Sequence, residues 1–295
     1  MGRKSKYLQE EIDYIKDNYL NKTYKEIADH INTFNAVNKT AKQVRSKARM
    51  LGLSKAKVQD YNRRYFQDIN TPEKAYWLGF IFADGWIYKG HGRNGSTNYE
   101  LGIELSVTDR EHLVKFANAI GMDSNKIKER VRKGNWIKPS QDEDLAGNFS
   151  GSHESSVLRV HSKDMYYDLI ENNIIDNKTN FDIFPNVKDS LYRDFLRGYF
   201  DGDGSIYLEG SKGNGQCHIT CASENILNNV KERLMDFKIS TGNIYKEHNT
   251  KYRLYVNKKE DVKNFLDFLY KDADIYLDRK YQAYKEHDSR NLRIA

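Results

Sequence analysis

Two cysteines in 295 residues are too few for a fold stapled by disulfides. Cys217 and Cys221 lie four apart, on one face of a strand. That is poor disulfide geometry and only half a zinc site, so both read as packed thiols. Long apolar runs are also missing: none approaches the roughly 20 residues that cross a bilayer, and the amino terminus has no apolar signal core. The sequence therefore argues against a membrane partner, and an intracellular, soluble protein is expected. With 38% hydrophobic and 31% charged residues the chain suits a folded globular protein rather than a disordered one.

Charge is present but unevenly spread. The formal net charge is +6, yet residues 1–70 carry 15 Lys+Arg against 8 Asp+Glu, and the remainder is close to neutral. A basic module joined to a near-neutral body points to a polyanionic partner. The first 53 residues read as three short helices, with Leu8, Ile12, Ile15 and Tyr19, then Ile27 and Ile31, then Ala41, Val44, Ala48 and Leu51 at helical spacing. Thr23 with Glu26, and Thr40 with Gln43, fit capping boxes, and Gly52 stands where a left-handed residue closes a helix. The third helix offers Lys42, Gln43, Arg45, Lys47 and Arg49. Such a unit resembles the helix-turn-helix DNA-binding fold, whose last helix enters the major groove. Residues 54–71 mix charges with aromatics without periodicity and read as a linker.

The body contains an internal repeat. Trp77-Leu-Gly-Phe-Ile-Phe-Ala-Asp-Gly85 and Leu196-Arg-Gly-Tyr-Phe-Asp-Gly-Asp-Gly204 are imperfect copies, each an apolar helix that ends in Asp-Gly and runs into a strand. Pro72, one of only three prolines, opens the first at the position where proline is tolerated. Around each copy the order helix, two strands, helix, two strands, helix recurs. The intermediate helices fall near Asp109–Ile120 and Ser223–Phe237, and the closing ones near Lys163–Asn172 and from Lys259. Residues from Gly134 to Glu154 read as an extra loop of the first half. This gives an α+β protein of two pseudo-symmetric αββαββα halves, 72–185 and 186–295, behind a small three-helix domain.

Gly79 and Ala83, and likewise Gly198 and Gly202, are spaced four apart. On a helix such a stripe of small residues lets two backbones approach closely. If the two helices lie side by side and parallel, Asp84 and Asp203 meet at two negative helix ends, where like charges repel. A divalent cation bound through oxygen relieves that conflict, and Mg2+ (or Mn2+) suits few carboxylates plus water and phosphate. Chemistry of this kind is metal-assisted displacement at phosphorus.

The paired motifs resemble the signature of the LAGLIDADG homing endonucleases in their single-chain form, over about residues 72–290. The resemblance implies a monomer with internal pseudo-twofold symmetry whose halves form a saddle on double-stranded DNA. It implies metal ligation by Asp84 and Asp203, and a staggered double-strand break at a long target. The earlier acidic position of the motif is Asp201 in the second copy but Phe82 in the first. Lys178 and Lys280, at equivalent places near the end of each half, are the candidate active-site basic residues, stabilising charge and organising water. Readout is expected from strands: Lys126, Lys128, Arg130 and Arg132 alternate on one face, as do Lys251, Arg253 and Tyr255. The competing expectation is a DNA- or RNA-binding protein of the same fold without cleavage, a transcription regulator or intron maturase; the presence of both aspartates favours the nuclease. An intein-borne nuclease is disfavoured, because no flanking splicing-type cysteine or His-Asn ending is seen.

Overall fold

The computed structural model describes residues 7–19, 22–34, 38–53, 61–91, 95–137, 148–175, 182–208, 215–247 and 251–292, of which 132–137, 148–153 and 290–292 are described as backbone alone. The chain divides into two compact units, Met1–Asp60 and Tyr61–Ala295.

The smaller unit contains α1 (Gln9–Asn18), α2 (Tyr24–Ile31) and α3 (Ala41–Met50) around Ile15, Ile27, Ala28, Ile31, Val44 and Ala48. Both expected capping boxes form. The Thr23 amide donates to the Glu26 carboxylate at 2.6 Å, and the Thr40 amide donates to Gln43 Oε1 at 2.8 Å. Each pair satisfies amides that the first helical turn leaves unbonded. Gly52, at φ +73°, ends α3, and Leu53 N–H turns back to the Ala48 carbonyl at 2.9 Å. A buried ion pair, Lys39 with Glu11 at 3.8 Å, joins the segment before α3 to α1.

The larger unit runs α4 (Pro72–Asp84), β1 (Gly85–His91), β2 (Thr97–Ser106), α5 (Arg110–Ile120), β3 (Lys128–Ile137), β4 (Asn148–Val160) and α6 (Lys163–Glu171). The pattern repeats as α7 (Asp189–Asp203), β5 (Gly204–Tyr207), β6 (Gln216–Cys221), α8 (Glu224–Asp236), β7 (Ile244–Glu247), β8 (Lys251–Val256) and α9 (Lys259–Tyr270), and α10 (Asp278–Leu292) follows. The two sheets are antiparallel with the matching orders β1-β2-β4-β3 and β5-β6-β8-β7. One face of each sheet turns apolar residues, among them Ile87, Leu101, Ile103 and Leu158 in the first and Cys217, Ile219 and Leu254 in the second, into a single core. Helix α4 is buried at every position from Ala75 to Phe82, which its apolar circumference requires.

Three sequence expectations are corrected here. Residues 61–70 are not linker: Tyr65 and Phe66 are buried, and Arg64 pairs with Asp168 at 3.1 Å. Their lack of periodicity reflects irregular backbone, and two aromatic side chains carry too much apolar area to be left in water. The stretch from Gly134 to Glu154 is not simply a loop, since β3 and β4 stay paired out to Ile137 opposite Asn148. A two-stranded extension needs only backbone hydrogen bonds, so polar residues can build it without an alternating pattern. The αββαββα description of the second half also omits α10, whose charged surface hides a buried stripe that includes Lys280, Tyr284 and His287.

Candidate active site

Helices α4 and α7 lie side by side and parallel. A Cβ on Gly79 would overlap the Phe195 carbonyl oxygen and stand 2.9 Å from the Tyr199 amide; one on Gly198 would overlap the Tyr76 carbonyl oxygen and stand 2.9 Å from the Phe80 amide. Further along, a Cβ on Gly202 would overlap that of Ala83 and reach Asp84 Oδ2 at 3.2 Å. These contacts advance together along both helices, so the two Asp-Gly ends share one end of the pair. Asp84 is exposed and Asp203 half-buried. Both carboxylates sit at helix carboxyl termini, where backbone dipoles add negative potential. Among the described residues no group of three or more His, Cys, Asp or Glu side chains could hold a metal. Two carboxylates, completed by water and phosphate oxygens, would match the coordination that Mg2+ accepts.

Lys280 comes to the same place from α10. It is 4% exposed, and its Nζ donates to the carbonyls of Phe200 at 2.5 Å, Asp201 at 2.7 Å and Gly204 at 2.6 Å. An ammonium has three donors, so all are committed to the end of α7. Burial pushes its pKa down to about 8; Asp201 opposes that, Arg279 adds to it, and Asp84 and Asp203 oppose it further. Lys280 thus lies beside the carboxylates as a cap on α7, and organising an attacking water would require it to release a carbonyl. Lys178, its expected counterpart, lies outside the described residues.

Behind the site is a polar network the sequence did not announce. Asp201 is fully buried and accepts from Tyr76 Oη at 2.7 Å, Tyr270 Oη at 2.6 Å and the Leu277 amide at 2.7 Å. Burial nevertheless raises its pKa, against the Lys280 charge and these donors. Tyr76 Oη also lies 3.0 Å from His112 Nε2. Burial, with nearby cations, holds His112 neutral by lowering its pKa to about 3. Because the Tyr76 hydroxyl proton goes to Asp201, His112 must carry its own on Nε2. In the first half the place of Asp201 is taken by Phe82, whose ring packs 6.1 Å from Phe195. Phe195 occupies the position in α7 that Tyr76 occupies in α4, so a Tyr–Asp hydrogen bond on one side is replaced by a Phe–Phe contact on the other.

The face of each sheet away from the core carries charge and aromatic rings. Lys128 and Arg130 lie opposite Val157 and Ser155, and Arg130 pairs with Glu104 at 3.8 Å. Arg132 lies opposite His153 in the backbone register, and its side chain is outside the description. Lys126 does not join this face, because it ends a 3-10 turn, Ser124–Lys126, capped by Asp123. A side chain whose carboxylate bonds the amide two residues on competes with strand formation there. On the second sheet Lys251 is exposed, Arg253 bridges Glu247 at 2.5 Å, and Tyr255 packs 5.4 Å from His218 and 5.7 Å from Tyr245. Arg159, Glu100 and Trp86 share the corresponding face of the first sheet and were missed; isolated residues in alternating strands give no charge run to detect.

Residues 190–269 match the LAGLIDADG-like domain family. The match lies wholly within the second half of the chain. Two curated relatives from Methanocaldococcus jannaschii are both described only as uncharacterized proteins. MJ1054 is 25% identical over 214 residues, and MJ0398 is 25% identical over 236 residues. The matches cover 69% and 75% of this chain, but only 22% of MJ1054 against 74% of MJ0398. Among solved structures, variants of the homing endonuclease I-DmoI align with 17% identity over 77% of this chain and all of theirs, at a TM-score of 0.46.

The matched residues take in all but the first residue of α7, with Asp201 and Asp203, and the β5–β8 sheet. Outside them, on α3 of the smaller unit, Lys42, Arg45 and Arg49 are exposed, as expected. Gln43 is turned back on Thr40 as part of the capping box, so its carbonyl oxygen is already used. Lys47 is half-buried with its ammonium 5.5 Å from the Tyr7 ring centre. Both cysteines are free; burial raises the pKa of each, which keeps them protonated.

Proposed function

We propose that this protein is a homing endonuclease: a metal-dependent DNA endonuclease that makes a staggered double-strand break at a long duplex site. The observation that carries the proposal is the meeting of Asp84 and Asp203 at the shared end of two parallel glycine-bearing helices. Packing alone explains the glycines but gives no reason for two carboxylates at the negative ends of both helices. Bound between them, Mg2+ or Mn2+ would polarise a phosphate, lower the pKa of water and stabilise the leaving oxygen. The residues fit such a cation: the donors are hard oxygens, few in number, with the ammonium of Lys280 turned into backbone rather than toward them. Asp84 and Asp203 hold the reacting region, and Lys280 fixes the end of α7 that delivers Asp203. Lys178 remains the proposed counterpart in the first half.

Duplex DNA would lie along the exposed sheet faces, with Lys128, Arg130, Arg132, Lys251, Arg253 and Tyr255 among the contacts. Lys42, Arg45 and Arg49 of the smaller unit would add phosphate contacts on a flank. The chain would act as a monomer in the cell interior, since each half supplies one carboxylate. The test is cleavage of a recognised duplex by the wild-type chain, Asp84→Asn and Asp203→Asn. Loss of cutting in both variants with binding retained supports the proposal. Cutting by either variant overturns the assignment, and binding without cutting by the wild type in Mg2+ and Mn2+ supports the non-cleaving alternative.

A further inference from the structure

The first row of residues across each sheet beyond the Asp-Gly end differs sharply between the halves. In the first it is Trp86, Gly102 and Arg159; in the second it is Ser205, His218 and Tyr255. Trp86 lies flat on Gly102, where a Cβ would overlap the indole ring. Its Nε1 donates to Glu100 Oε1 at 3.3 Å. The Glu100 side chain is only 8% exposed, and it also faces Arg159 at 3.4 Å and His161 Nδ1 at 3.7 Å. The Arg159 guanidinium sits 5.8 Å from the Trp86 ring centre, while 41% of its side chain stays open to solvent. One guanidinium nitrogen is therefore held by a buried carboxylate, the group lies beside an indole, and two-fifths of the side chain stays open to solvent.

We infer that Arg159 reads a guanine in one half of the DNA target, with Glu100 and Trp86 as the residues that position it, and that the pseudo-equivalent base pair in the other half is read differently. The inference rests on the function proposed above. An arginine offers two parallel donors that match O6 and N7 of guanine in the major groove, a match lysine cannot reproduce. The carboxylate decides between base and phosphate. A guanidinium paired with a buried glutamate is close to net neutral, so it attracts a phosphate weakly, yet its fixed donors suit a directional pair of acceptors. The matching row of the second half holds no arginine: there His218 and Tyr255 present rings 5.4 Å apart. The preferred duplex is consequently asymmetric at these two positions despite the pseudo-twofold protein.

The experiment is selection from a randomised duplex DNA pool by the full-length wild type, Arg159→Lys, Arg159→Ala and Glu100→Gln. The wild type should enrich guanine at one position of one half-site. Both Arg159 variants should lower that preference about tenfold or more and leave other positions unchanged. Glu100→Gln, which keeps the arginine, should relax the same position alone. Unchanged preferences in Arg159→Ala, or uniformly weaker binding with a shallower salt slope, would overturn the inference while leaving the proposed function standing. A wild-type chain that enriches no duplex overturns both.

Discussion

Replacing Lys280 with methionine tests the centre of the structure most directly. Methionine keeps the side-chain length and loses the charge. At pH 7 two effects oppose each other. The ammonium is destabilised by burial, which is why its pKa falls from 10.5 to about 8. Removing it relieves that cost, but it leaves the Phe200, Asp201 and Gly204 carbonyls without this donor and Asp201 without its cation. Losing one side of a buried charged network costs about 3–5 kcal/mol, and the variant should be less stable by an amount in that range or somewhat below it. The pH dependence is more diagnostic. Between pH 8 and 10.5 the unfolded state holds a proton on Lys280 that the folded state has released, so this residue makes stability rise with pH. The contribution is complete above 10.5 and is lost as pH falls through about 8. Urea unfolding of both proteins should show the stability gap widening by about 2–3 kcal/mol between pH 7 and pH 10. A gap that does not change across that interval would refute the buried, three-carbonyl placement of Lys280.

Gly202→Ala should displace Asp84, because the new Cβ would overlap that of Ala83 and stand 3.2 Å from Asp84 Oδ2; cleavage should fall about tenfold or more with DNA affinity little changed, and unaltered cutting would contradict the close approach. Tyr76→Phe and Asp201→Asn should each destabilise by about 1–3 kcal/mol in urea unfolding. Since they share one hydrogen bond, the double variant should fall short of the sum by about 0.5 kcal/mol or more, and strict additivity would break the proposed link. Deleting residues 1–60 should weaken DNA binding and reduce the salt slope by about 3, one increment for each of Lys42, Arg45 and Arg49 on phosphate. An identical slope would remove the smaller unit from the interface.

The repeat was legible because it depends on features that sequence displays directly. A helix apolar on all sides, glycines four apart and a terminal Asp-Gly recur with one spacing, and capping residues such as Thr71, Thr40 and Ser223 mark where helices start. The basic face of β3 was legible in part: alternation identified Lys128 and Arg130, but it could not register that Asp123 closes a turn around Lys126. Tertiary partnership left no such trace. Lys280 looked like an available cation because nothing near it in sequence accounts for its charge; its acceptors lie some 80 positions earlier, on the backbone of α7. Glu100 and Arg159 are likewise separated by most of a half, and only the pairing of β2 with β4 brings them together.

Departures from symmetry come in matched sets rather than as single substitutions. Where Asp201 gives way to Phe82, the facing Tyr76 gives way to Phe195, so at this position a hydrogen-bonded polar pair is exchanged whole for an apolar one. Where Arg159 gives way to Tyr255, Gly102 gives way to His218 and Trp86 to Ser205, so a held arginine becomes a pair of neighbouring, tilted rings. Replacement in complete sets keeps each half stable while allowing its outward face to differ. Both helices keep their packing glycines, Gly79 and Gly198, and their terminal aspartates, Asp84 and Asp203, and packing gives no reason to keep the charges of the second pair. On the function proposed above, the helix ends would answer to one chemical requirement, while the surrounding sheets would be left to recognise two different half-sites.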